Sequence, residues 1–217
     1  MSISFHPDIS TLMAFSAGSL DEPYAVVVAT HVAMCEACRE QIKRIDVIGG
    51  ALLVSEPTAP LAPHALDRLM ARLDDDVMEA ERPAPAPIRK DVPPTLAHYL
   101  PKGLDGVKWR FSGPGVAVSH LPSSANSASR LMLLKVAGGR KVPEHSHGGQ
   151  ELTLILKGAY RDRFGVFAAG DIADHDEDVE HQPIAEPGED CICLVAVDAP
   201  LSFRSRLVRA LQPLVGL

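Results

Sequence analysis

The sequence predicts an α + β chain in two parts, a small helical bundle followed by an all-β barrel. Three observations predict it. Between Glu81 and Pro94 the chain reads ERPAPAPIRKDVPP, in which five of fourteen residues are proline. Proline lacks a donor and pushes the preceding residue to extended geometry, so neither a helix nor a central strand runs through this stretch, and it reads as a semi-rigid linker. Before it, apolar residues recur at three- and four-residue spacing. After it, short apolar runs alternate with Gly, Pro and Asp. The expected parts are a helical domain over 1–80, a linker over 81–94, a β domain over 95–205 and a C-terminal tail, 206–217, ending in a short helix.

In the first part, Ser19-Leu-Asp-Glu-Pro marks a helix start, and apolar residues follow to Ile48. Gly49-Gly50 reads as a stop or hinge. Pro63 opens a further helix to Glu81, with Leu66, Leu69, Met70, Leu73 and Val77 on one stripe. That stripe serves either the domain's own core or a groove on a partner. In the second part, Val116–Val118, Leu131–Val136, Leu152–Leu156, Gly165–Phe167 and Cys191–Val197 are the expected strands.

Composition narrows the function. The net charge is −7, which disfavours direct nucleic-acid binding, since phosphate contacts need a basic surface. The charge is local: through Ala80 there are five Lys and Arg against twelve Asp and Glu, and the remainder balances at sixteen of each. An acidic helical domain suits a basic protein partner. Asp74-Asp75-Asp76 is its densest acidic run, read either as part of that surface or as a solvated helix face. No apolar run reaches the ~18–20 residues of a membrane span, and the start lacks the basic-then-apolar order of a signal peptide. The expectation is a cytoplasmic, reducing location, where four cysteines read as metal ligands or redox groups.

Eighty residues are near the lower limit for one apolar core, and a structural metal is one remedy. On one helix His31, Cys35 and Cys38 are i, i+4 and i+7 and share a face. Two thiolates and an imidazole match Zn²⁺. His6, just before a helix start, is the first choice for the fourth ligand, and His64 is the competitor. The other readings are a redox Cys-x-x-Cys pair without metal and two packed cysteines.

In the β part, His145 and His147 are two apart and so share a strand face, with Glu151 four further on. His181 is the expected returning ligand, with His175 behind it. Cys191 and Cys193 also share one strand face. They are either candidate redox thiols beside the metal or plain strand core.

Gly139, His145, His147, Glu151 and Gly158 fill every slot of a pattern that resembles the first cupin motif. The second motif is less complete: Ala168-Ala-Gly170-Asp171 lacks its proline, and His181 arrives eleven residues after Gly170. Together the two parts resemble the ChrR-type zinc-binding anti-sigma factors over nearly the whole chain. The fold class this implies is a small zinc-stabilised helical bundle followed by a cupin, a jelly-roll-like barrel. The resemblance implies zinc on His6, His31, Cys35 and Cys38, and a cupin metal on His145, His147, Glu151 and His181. That second metal is zinc by resemblance, and Fe, Mn or Ni by ligand chemistry. It also implies a repressor that sequesters an extracytoplasmic-function sigma factor through residues 1–80 and releases it on singlet-oxygen or peroxide-type stress sensed with the cupin. The alternative reading is a metal-dependent cupin enzyme, a dioxygenase or isomerase, with an accessory zinc domain.

Overall fold

The computed structural model describes residues 3–73 and 92–203, the last three by backbone alone. Most of the Pro-rich linker, the Asp74–Asp76 run, Val77 and the tail lie outside the described residues. The helices are α1 (Ile9–Ser16), α2 (Glu22–Met34), α3 (Glu36–Ser55) and α4 (Ala65–Ala71). Asp21 caps α2 by accepting from the Glu22 N–H, and Pro23 stands in the first turn, where no helical donor is lost.

Three expectations are corrected here. His31 and Cys38 do not share one continuous helix. The chain breaks at Cys35, which is extended (φ −107°, ψ 112°) and serves as C-cap of α2 and N-cap of α3. In that conformation its Sγ accepts from the Cys38 N–H at 3.5 Å, a bond that an uninterrupted helix would not form. Gly49-Gly50 is no stop, since α3 runs on to Ser55. Each glycine costs a helix about 1 kcal/mol, too little to end twenty residues of it. The last helix begins at Ala65, not Pro63, behind a left-handed His64.

The β half contains β1 (Arg110–Gly113), β2 (Val116–Leu121), β3 (Arg130–Val136), β4 (His145–His147), β5 (Glu151–Lys157), β6 (Ala159–Asp162), β7 (Gly165–Ala168), β8 (Ile172–His175), β9 (Glu180–His181), β10 (Ile184–Ala185), β11 (Cys191–Val197) and β12 (Leu201–Phe203). A six-stranded sheet has the order β1-β2-β3-β11-β5-β8. Opposite it stand the shorter sheets β10-β6-β7 and β12-β4-β9. All pairings between the strands are antiparallel. This is the cupin-like barrel expected from the sequence.

The large sheet is buried on both faces, which explains why Cys191–Val197 reads as an unbroken apolar run. Alternate residues divide between two cores. Leu152, Leu154, Leu194 and Ala196 face the helices and pack with Val27 and Val28 of α2. Ile155, Cys191, Cys193 and Val195 face the barrel interior with Tyr160 and Phe167. The same alternation turns Glu151 and Thr153 inward. Polar contacts reinforce the seam between the halves. The Tyr24 hydroxyl donates to the Gln150 carbonyl (2.7 Å), and Asp21 accepts from Ser127 Oγ and from the backbone and hydroxyl of Ser129.

Candidate metal centres and partner surface

The helical centre forms where α2 breaks into α3. His6, His31, Cys35 and Cys38 each bring a donor atom within 4.8 Å of the other three. His31 Nε2 lies 3.2 Å from Cys38 Sγ, and His6 Nδ1 lies 3.4 Å from both sulfurs. His31 is wholly buried, and burial pulls its pKa down to about 4, so it is neutral near pH 7. Its Nδ1–H donates to the Gly170 carbonyl at 2.9 Å, which leaves the Nε2 lone pair facing the thiols. Burial, together with the neighbouring Cys35, pushes the Cys38 thiol up to about 12 in the metal-free protein. Two sulfurs and two imidazoles, convergent and with all but the exposed His6 buried, suit a tetrahedral soft-metal site. His64 stands elsewhere, exposed at the start of α4 and 3.1 Å from Asp67.

The second centre lies inside the barrel. His145 and His147 are buried on one face of β4, and β9 pairs with β4 so that His181 stands opposite His145. His181 Nε2 lies 3.2 Å from His145 Nε2 and 3.3 Å from His147 Nε2. The outer ring atoms decide what this means. His145 Nδ1–H donates to the Pro143 carbonyl (2.8 Å), and His181 Nδ1–H donates to the Asp162 carboxylate (2.9 Å). Both Nε2 atoms therefore present lone pairs to each other. Burial holds the His145 pKa down to about 4, so His145 itself brings no proton to relieve this opposition near neutral pH. A cation between the rings does relieve it, and the donor set fits a bound metal.

Glu151 stands beside the trio rather than within it. Its Oε2 lies 3.3 Å from His147 Nδ1, and its Oε1 accepts from Thr153 Oγ1 at 2.9 Å. Burial alone would raise this carboxyl. The His147 contact and the three imidazoles outweigh it and bring its pKa to about 2, so Glu151 is anionic. His175 pairs across strands with Glu151 and makes a second donor group with Asp162 and His181.

Asp162 is a residue the sequence reading missed. It sits between two arginines with no ligand-like spacing, and only the fold brings it to His181. Exchanging it for Asn removes the charge that fixes the His181 tautomer. Asp162→Asn is expected to weaken metal binding in the barrel by about 10–100-fold without touching the helical centre. Metal titration of the whole protein checks this, and unchanged barrel affinity would contradict the assigned role.

Next to the trio is a cavity of about 50 Å³, bounded by His145, Glu151, Tyr160, His181, Cys191 and Cys193. It has room for a few water-sized molecules. The Tyr160 hydroxyl is buried and has no hydrogen-bond partner among the described residues, and burial raises its pKa well above the usual phenol value, so it stays a donor. Cys191 Sγ and Cys193 Sγ are 3.7 Å apart.

The outer helices present a different surface. Val47, Ile48, Leu52, Leu53 and Val54 of α3 are each more than 60% exposed, and Leu66, Leu69, Met70 and Leu73 on and just after α4 more than 50%. Among the described residues the α4 stripe is thus not core. Runs of apolar surface on this scale mark a binding site. No helix among the described residues is long and apolar enough to cross a membrane.

The fold and its two centres define a cupin-like barrel that carries a His/Cys-rich helical attachment with an open apolar face. Comparison with known proteins places this arrangement. Residues 103–199 match the family model described as the ChrR cupin-like domain. Over 217 residues the chain is 45% identical to the anti-sigma-E factor ChrR of Cereibacter sphaeroides, covering 98% of each. Its structure is similar to the crystal structure of Rhodobacter sphaeroides SigE in complex with the anti-sigma ChrR (TM-score 0.76, 40% identity, 91% of this chain and 100% of that one). The chain belongs to the ChrR family of anti-sigma factors.

Proposed function

We propose that this protein holds an extracytoplasmic-function sigma factor inactive in the cytoplasm through its helical part, residues 1–80, and releases it when the barrel meets an oxidant. The observation that carries the reading is the exposed apolar face of α3 and α4 on a chain 45% identical, end to end, to an anti-sigma factor. Zinc on His6, His31, Cys35 and Cys38 would supply the cross-link that holds the α2–α3 corner in shape for binding. The barrel trio with Glu151 would hold a second metal: zinc, or Fe, Mn or Ni, which share such ligands.

Support for the oxidant reading is chemical. The cavity places an orphan phenol donor and two thiols beside the trio. A small peroxide fits its volume and could accept a hydrogen bond from Tyr160. Cys191→Ser together with Cys193→Ser is expected to blunt release by oxidant while sigma binding stays intact. Normal release from that double variant would remove the thiols from the sensing path.

The deciding experiment mixes the purified full-length protein with its cognate sigma factor. A tight 1:1 complex that falls apart on oxidant treatment is the expected result. No complex with any sigma factor, together with turnover of a small substrate, would overturn the reading.

A further inference from the structure

We infer that the turn Ala168–Asp171 of the β half is the positioning element of the helical metal centre, holding its two histidines while the α2–α3 junction holds its two cysteines. The inference rests on the proposed zinc site at His6, His31, Cys35 and Cys38. The Gly170 carbonyl accepts from His31 Nδ1–H at 2.9 Å and so fixes the ring and tautomer of that ligand. Asp171, buried, accepts the backbone N–H groups of Ser4 (2.7 Å) and Phe5 (3.0 Å) on one oxygen and that of Ala168 (2.8 Å) on the other. The Ile172 N–H returns to the Phe5 carbonyl at 3.3 Å. His6 follows directly on the residue clamped from both sides. Among the described residues its own Nδ1 meets only the two sulfurs, so its position depends on this clamp.

Gly170 stands in a backbone conformation that side-chain-bearing residues rarely adopt. Its φ is +97°, and a Cβ would stand 2.8 Å from Ile3 and 3.6 Å from Met34. The turn that presents its carbonyl to His31 thus favours glycine. The turn is also attached to the sensing cavity. The Phe5 ring stacks on Phe167 (centroids 4.1 Å), and Phe167 stacks on Tyr160 (4.9 Å), whose hydroxyl lines that cavity. The stacked rings thus give a change in the barrel wall a contact path to Phe5, the residue next to His6.

The test loads full-length protein with Co²⁺, whose sulfur-to-cobalt absorption reports on the helical centre alone, and compares Asp171→Asn with Asp174→Asn. Asp174 accepts from the Asp8 N–H and Thr11 Oγ1 in the same seam but touches neither histidine nor the residues flanking His6. Asp171→Asn is expected to weaken cobalt binding at this centre about 10–100-fold, to alter the absorption band and to speed the reaction of Cys35 and Cys38 with a thiol reagent. Asp174→Asn keeps all three near wild type. Equal effects from both variants, or none from Asp171→Asn, overturn the inference. If Asp171→Asn does not fold, Phe5→Leu replaces it, expected to shift the band in the same direction; an unchanged band there overturns the inference too. A wild-type protein with no sulfur-to-cobalt band removes the zinc site itself, a separate failure.

Discussion

Cys38→Ser is expected to release one equivalent of zinc, to loosen α3 and α4, and to abolish measurable sigma binding, while the barrel stays folded. The reason lies in how unevenly the helices are supported. Val27 and Val28 of α2 are wholly buried in the core shared with the large sheet, so α2 has apolar packing independent of any metal. In α3 Cys38 is the only buried residue, with Ile42 and Ile45 half-covered beside it. α4 buries none. The orientation of α3 therefore rests on its contact with α1 and on the four-donor cluster at its first turn. Structural zinc sites contribute apparent binding free energies of order 10 kcal/mol to the folds they close, far more than two partly covered isoleucines offer at ~25 cal/mol per Å². Metal analysis, hydrogen exchange along α3 and co-elution with the sigma factor together check the prediction. Chelation of the wild-type protein should produce the same pattern. A variant that keeps its full metal content and its partner would show that Cys38 is only a packed thiol.

Much of this was legible in the sequence because the signals are local. The Pro-rich break, the alternating runs of the barrel and the His-x-His-x-x-x-Glu spacing all lie within a dozen residues and follow from backbone periodicity. Even His6 could be offered as the first choice, because it lies just before a helix start, although His64 stayed open as the competitor. The rest was hidden where tertiary contacts override local preference. Val32 to Glu36 are all compatible with a helix, and nothing in them announces the break. The break exists because an extended Cys35 lets its sulfur cap α3 and join the cluster. Gly49-Gly50 carries the opposite lesson, a propensity cost overruled by the helix on either side. Asp162 gave no signal, and the Gly170–Asp171 turn showed only as an incomplete cupin motif with nothing to tie it to the helical centre. Their partners are 19, 139 and up to 167 residues away, so their roles exist only in the folded chain. The stripe on α4 has two readings, and its exposure among the described residues counts against the core one.

Leu69→Glu is expected to cost the sigma complex about 30–1,000-fold in affinity and to leave thermal stability unchanged. The two halves of that statement test each other. Leu69 is 56% exposed and its neighbours Leu66, Met70 and Leu73 are similarly open, so a charge at this position meets water in the free protein and should move stability by no more than ~0.5 kcal/mol. A seven-residue helix is too short to be stable by propensity alone, and among the described residues α4 has no buried residue to compensate. What makes its apolar stripe useful is a groove supplied by another protein, where i, i+3 and i+4 anchors are desolvated together. Central anchors of that kind are worth ~2–4 kcal/mol each, and 1.4 kcal/mol is a factor of ten. The acidic excess of residues 1–80 adds a second, separable effect. It should speed encounter with a basic partner, so raising salt slows association more than it speeds dissociation, whereas Leu69→Glu acts on dissociation. Binding kinetics at two salt concentrations, with a melting curve of the free variant, separate these effects. A variant that melts early yet binds normally would return the stripe to the protein's own core.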